Sequence, residues 1–293
     1  MLLLITKGVL MMSAINETRE MDGKLVKLEQ LLSNLWSQYV TESPASLEIY
    51  NLFSREGETI INDHIALRTF DDERVNIAKL GSFFEELGYQ ECGEYHFEVK
   101  KLYAKHYEHK YDELQPKIFI SQLLTKQFSS FVQGAIKSMV DAIPLQKLSS
   151  SDLLFSGALW GELDYTVYQQ LLAESEYAAW LYVFGFRANH FTLLVNKLQR
   201  FNTIELVNQF VKGHGYPLNS SGGEIKGTSA ELLEQSSTMA NKVPVKFKQG
   251  TFEVLNSYYE FAKRYPMHNG KLYQGFIATS ADKIFESTDV KPA

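Results

Sequence analysis

The chain has 293 residues, 45% of them hydrophobic and 22% charged, with 19 Phe and 16 Tyr, so a sizeable apolar core is available and a disordered chain is excluded. The net charge of −6 comes without clustered cations, which argues against a nucleic-acid partner. A single cysteine, Cys92, excludes an intrachain disulfide and a cysteine-rich zinc site, and points to the cytoplasm.

Met1 to Met12 is apolar, but Lys7 interrupts it, no basic stretch precedes it and no small-residue cleavage site follows. It is too short to span a bilayer, so no membrane partner is expected, and residues 1–20 read as a poorly ordered extension. Met21 to Tyr50 carries Leu25, Leu28, Leu31, Leu32, Leu35 and Trp36 at helical spacing. Ser43-Pro44 breaks this helix, and a shorter one runs on to about Phe53. Ile60 to Phe70 then changes to a strand pattern. Asp71 and Asp72 can cap a following helix with Ile77, Leu80, Phe83, Phe84 and Leu87 on one face, and Gly88 ends it. Tyr95 to Tyr107 and Lys117 to Leu123 read as strands, giving a β-α-β-β module. Lys126 to Tyr182 is expected to be a helical insertion. A second module follows, with a strand at His190, a helix over Ile204–Gly213, a flexible loop at Ser220-Ser221-Gly222-Gly223, and strands near Val243–Phe247, Thr251–Lys263 and Leu272–Ala278. The expected organisation after the extension is one domain over 21–293: N-terminal helices (21–55), first module (56–125), insertion (126–183) and second module (184–293).

The two modules are copies of one pattern. Asp63-His64-Ile65-Ala66-Leu67-Arg68-Thr69-Phe70 opens the first, whose helix ends at Leu87-Gly88-Tyr89; Asn189-His190-Phe191-Thr192-Leu193-Leu194-Val195 opens the second, ending at His214-Gly215-Tyr216. From His to Gly is 24 residues (88 − 64) in one copy and 25 (215 − 190) in the other. A histidine at the same place in both copies can bring two imidazoles to a shared centre. With one carboxylate they form the facial triad that holds ferrous iron with open positions. A lone strand histidine is more often a satisfied core or surface residue, but packing alone does not require a polar ring twice.

Side chains alternate along a strand, so His64, Ala66 and Arg68 share a face, as do His190, Thr192 and Leu194, and Tyr258, Glu260 and Ala262. Glu260 among Tyr258, Tyr259 and Phe261 is expected to be buried, where a carboxylate wants a cation. Arg68 would project beside the triad as a binder of a substrate carboxylate, its other reading being a salt-bridging arginine. His106 and His109 rank lower, in a run of Lys, Tyr and Glu that reads as solvated.

Three segments, Asn62-Asp63-His64-Ile65-Ala66-Leu67-Arg68-Thr69-Phe70, Arg187-Ala188-Asn189-His190-Phe191-Thr192 and Tyr258-Tyr259-Glu260-Phe261-Ala262-Lys263-Arg264, resemble the 2-oxoadipate dioxygenase/decarboxylase (hydroxyglutarate synthase) family. Gly270-Lys271-Leu272-Tyr273-Gln274-Gly275-Phe276 and Ala278-Thr279-Ser280-Ala281-Asp282 are similar to it too. The resemblance implies an α+β fold in which the two modules form a vicinal-oxygen-chelate-like curved sheet around a metal. It implies Fe(2+) on His64, His190 and Glu260, and substrate binding with a catalytic role at Arg68. It also implies a reaction of lysine catabolism, in which 2-oxoadipate and O2 give 2-hydroxyglutarate and CO2. Two other readings stay open on the same residues: a metal-dependent lyase or isomerase, and a non-catalytic binding module.

Overall fold

The computed structural model describes the backbone of residues 2–288 and the side chains of residues 22–288; the extension expected at 1–20 lies outside the described side chains. The chain opens with α1 (Leu2–Glu42) and α2 (Pro44–Arg55), which bury Leu28, Leu35, Ile49 and Phe53. Pro44 starts the second helix where its missing N–H costs nothing. No described helix is long and apolar enough to cross a membrane.

The first module is β1 (Asn62–Phe70), α3 (Ile77–Glu85), β2 (Tyr89–Phe97), β3 (Leu102–His109) and β4 (Lys117–Leu123). Asn76, rather than the aspartates before it, caps α3 by accepting the Lys79 N–H. The insertion supplies α4 (Ser130–Asp141), α5 (Leu145–Leu148), α6 (Tyr165–Glu174) and α7 (Glu176–Phe184). The second module is β5 (Ala188–Leu194), α8 (Ile204–Gly213), β6 (Lys226–Thr228) and β7 (Leu233–Ser237), then the hairpin β8 (Lys242–Phe247) and β9 (Gly250–Leu255), and last β10 (Tyr258–Arg264). A final helix, α9 (Ala278–Phe285), follows.

One eight-stranded sheet holds both modules in the order β2-β3-β4-β1-β5-β10-β7-β6. The order reads the same from each end. β4 runs parallel to β1 as β10 does to β5, the outer strands are antiparallel, and β1 meets β5 antiparallel at the centre. β1 therefore corresponds to β5, β4 to β10, β3 to β7 and β2 to β6, and the β8–β9 hairpin is an addition paired only with itself.

Four expectations about strands change. The strand expected over Tyr95–Tyr107 turns back over Glu98–Lys101 and belongs to two antiparallel strands, β2 and β3. The strand expected over Thr251–Lys263 breaks at Asn256-Ser257, where the Asn256 side chain turns back to the carbonyl of Glu42. β7 was not foreseen, because Leu-Glu-Gln-Ser-Ser has no apolar alternation although its serines are buried. Leu272–Ala278 is not a strand; apart from a lone bridge at Leu272, its backbone is tied down by side chains, including Arg264 on the Tyr273 and Gly275 carbonyls.

The step from α7 into β5 rests on Gly185, with φ +65° and ψ −148°, a region open essentially to glycine. A Cβ there would also overlap the backbone of Gly157, which pairs with Phe186. Gly185→Ala is expected to cost about 1–3 kcal/mol or more, read as a lower denaturant midpoint; an unchanged midpoint would show that this junction relaxes freely.

Candidate metal centre

The central register decides what meets what. Thr192 on β5 pairs with His64 on β1 and with Glu260 on β10, and His190 lies two residues away on the same face. Three side chains from three adjacent strands thus converge although 196 residues of chain (260 − 64) separate the outer two. His64 Nε2 lies 3.5 Å from Glu260 Oε1, and His190 Nε2 lies 3.0 Å from Glu260 Oε2. The donor atoms of all three lie within 4.8 Å of one another, at 2%, 4% and 1% exposure.

Each imidazole is oriented by the residue before it. Nδ1 of His64 lies 2.8 Å from Asp63 Oδ1, and Nδ1 of His190 lies 3.0 Å from Asn189 Oδ1. Both Nδ1–H groups donate to these oxygens, so both Nε2 lone pairs point at the centre. Arg264 grips Asp63 with two hydrogen bonds, Nε to Oδ2 at 2.6 Å and Nη2 to Oδ1 at 2.8 Å. Burial opposes ionisation of Asp63, yet Arg264, Lys117 and His64 hold its carboxyl well below the usual range. Gln235 donates to Glu260 Oε1 at 2.6 Å.

The donor set fits a divalent metal. Nε2 of His190 and Oε2 of Glu260 are buried without an aligned hydrogen-bond partner, and both face the centre. Burial pushes the His190 imidazole below its ordinary value, making it a neutral donor at pH 7. Burial alone would raise Glu260, but the two imidazoles bring its carboxyl below the ordinary value, so it is anionic. Two imidazole nitrogens and one carboxylate form the facial set that leaves further positions open. In the first module the place equivalent to Glu260 is taken by Phe119, since Glu260 pairs with Thr192 as Phe119 pairs with Ala66. The fourth corner is therefore apolar.

Rings close the site. Tyr258 stacks on His190 at 4.6 Å and 25°, and Phe276 meets His64 edge-on at 4.8 Å. Ala281, Ile284 and Phe285 of the C-terminal segment cover it, leaving a cavity of about 20 Å³, room for roughly one water.

Arg68 shares the His64 face but does not line this cavity. It is buried behind Phe285, sandwiched between Tyr177 at 4.8 Å and Trp180 at 5.0 Å. Nη1 donates to Glu176 Oε1 and Nη2 to Thr288 Oγ1, both at 3.1 Å, and Nε has no partner. Strand alternation alone does not mark Asp63, Asn189, Gln235 or Arg264 as site residues. The first two had a signal, because an Asp or Asn precedes the histidine in both copies. The expectation that His106 is solvated is corrected: it is 2% exposed, on the concave face of β3 opposite Phe119.

The model of the family described as 2-oxoadipate dioxygenase/decarboxylase matches residues 24–272. The chloroplastic 2-oxoadipate dioxygenase/decarboxylase of Arabidopsis thaliana is 33% identical, over 94% of this chain and 82% of that protein. The hydroxyglutarate synthase of Oryza sativa, solved in complex with 2-oxoadipate, superposes with TM-score 0.86 at 33% identity, over 91% of this chain and 93% of its own. A Shewanella frigidimarina protein provisionally called a hydrolase is 50% identical with TM-score 0.81, over 85% and 97%. The curved sheet of two related modules is the vicinal-oxygen-chelate-like arrangement that the resemblance implied.

Gln235 offers a clean probe of the centre, because its Oε1 is buried and unpartnered while its Nε2 holds Glu260. Gln235→Leu is expected to keep the unfolding midpoint and weaken metal affinity about 10- to 100-fold. Wild-type affinity in a metal titration would show that Glu260 needs no such support.

Proposed function

Because the chain belongs to the 2-oxoadipate dioxygenase/decarboxylase family, we propose that it is an iron(II)-dependent enzyme converting a 2-oxo dicarboxylic acid, 2-oxoadipate, to 2-hydroxyglutarate in lysine catabolism. The reaction balances: 2-oxoadipate loses its C1 as CO2, one atom of O2 enters the new carboxylate and the other becomes the hydroxyl. The observation that carries the reading is the convergence of His64, His190 and Glu260, with two orphaned donor atoms turned to one point. Ferrous iron, when bound there, supplies the Lewis acidity and redox chemistry that a decarboxylating dioxygenase needs.

The chain's own residues do the rest. Asp63 and Asn189 keep the protons on Nδ1 of the two histidines, and Gln235 fixes the carboxylate. Phe119, Tyr258, Phe276 and Phe285 keep water from the reacting atoms. Arg68 takes a substrate carboxylate. Its Nη1 is spent on Glu176, but Nη2 meets only the neutral hydroxyl of Thr288, and Nε is free on the same edge of the guanidinium. That Nε/Nη2 edge is the fork that a carboxylate bridges. A six-carbon diacid does not fit a cavity of about 20 Å³, so binding displaces the segment around α9 and Thr288, and the acid replaces the hydroxyl on Arg68.

The iron(II)-loaded protein should consume O2 with 2-oxoadipate and release equimolar CO2 and 2-hydroxyglutarate. Uptake with a different 2-oxo acid alone would replace the substrate, and no uptake with bound iron would favour a lyase or isomerase. Thr288→Val removes two hydrogen bonds of the closed state, the one accepted from Arg68 and the one donated to the Phe285 carbonyl, worth about 1 kcal/mol each, and should tighten anaerobic 2-oxoadipate binding about 5- to 30-fold. An unchanged dissociation constant in calorimetry would place Thr288 outside the entry route.

A further inference from the structure

A second set of metal donors lies on the outer strands of the first module. β2 and β3 pair Glu91 with Tyr107 but Gly93 with His106, so Cys92 is the extra residue of a β-bulge. Bulges re-aim side chains, and this one brings Cys92 to the face carrying His106 and Glu108. The Cys92 thiol, a ring nitrogen of His106 and a carboxylate oxygen of Glu108 all lie within 4.8 Å of one another. His106 Nε2 is already 3.0 Å from Glu108 Oε1, while Cys92 is exposed and gives access from solvent. The ring fits here because residue 93 is glycine, where a Cβ would come to 2.8 Å from it.

We propose that Cys92, His106 and Glu108 form a zinc site separate from the His64–His190–Glu260 centre. Thiolate, imidazole and carboxylate are the three donor types zinc takes together, with water completing a tetrahedron. The triad lacks the soft thiolate, so the two sites differ in preference. Binding releases the thiol proton, and the thiolate and Glu108 together offset the two charges of the ion. Nε2 of His106 turns from Glu108 to the metal, and its ring proton sits on Nδ1, 2.9 Å from the Tyr95 hydroxyl. That hydroxyl also accepts the Phe276 N–H at 3.1 Å, and Phe276 packs on His64. An ion at this site therefore steadies the loop that walls the neighbouring centre.

The lone cysteine makes the test specific. Purified full-length protein titrated with Co²⁺ should take up two equivalents, one of them with a thiolate-to-cobalt charge-transfer band. Cys92→Ser, an exposed and near-isosteric change, should lose that band and that equivalent and keep the other. Zn²⁺ at about ten times its dissociation constant should slow alkylation of Cys92 in the wild type about tenfold. A wild type without the band at excess Co²⁺, or with a Cys92 alkylation rate indifferent to Zn²⁺, overturns the proposal. Neither readout depends on what the His64–His190–Glu260 centre binds or catalyses.

Discussion

A carboxylate sealed among rings must find positive charge, and Glu260 is where this fold leaves that demand open. At 1% exposure it is out of water, where an uncompensated anion is costly. The other buried acids among the described residues are provided for. Asp63 has the fork of Arg264, and Glu58 accepts the backbone N–H groups of Gln199 and Arg200. Glu260 has an amide and two imidazoles, one of which burial keeps neutral. A divalent cation between them satisfies the carboxylate and both lone pairs at once, and the surroundings are arranged to keep those lone pairs inward.

The duplicated sheet makes this possible. Strand pairing brings β1, β5 and β10 side by side, and the antiparallel contact at the pseudo-twofold places the matched histidines diagonally, each two residues from the other's partner, with ring centroids 5.6 Å apart. Symmetry would then offer a fourth donor from β4, but Phe119 occupies that place. The departure from symmetry gives the site its open side, and the same asymmetry appears in the orienting groups. His64 leans on an ionised Asp63 locked by Arg264, whereas His190 leans on the neutral Asn189. The two imidazoles are thus unequal donors despite equivalent positions.

Much of this was legible in the chain. The repeated Asp/Asn-His pair, the strand-helix-glycine spacing and the strand containing Glu260 were visible because period-two alternation and glycine stops are local signals. Residues acting across the fold were not. Arg264 reaches Asp63 over 201 positions, and Gln235 lies in a polar run with no strand periodicity. His106 read as solvated because its neighbours along the chain are polar; the curl of the sheet and Phe276 bury it. Arg68 was expected on the correct face, but its engagement by Glu176 and Thr288 depends on the insertion and on the C-terminal segment, neither of which the strand pattern encodes.

Anaerobic titration with ferrous iron shows whether one metal is held jointly by the two modules. Cys92→Ser protein serves as the background, so that only one site is in play. One tightly bound equivalent is expected, lost in each of His64→Ala, His190→Ala and Glu260→Ala while circular dichroism is retained. Full stoichiometry in any one of the three would contradict it and remove that residue from the triad.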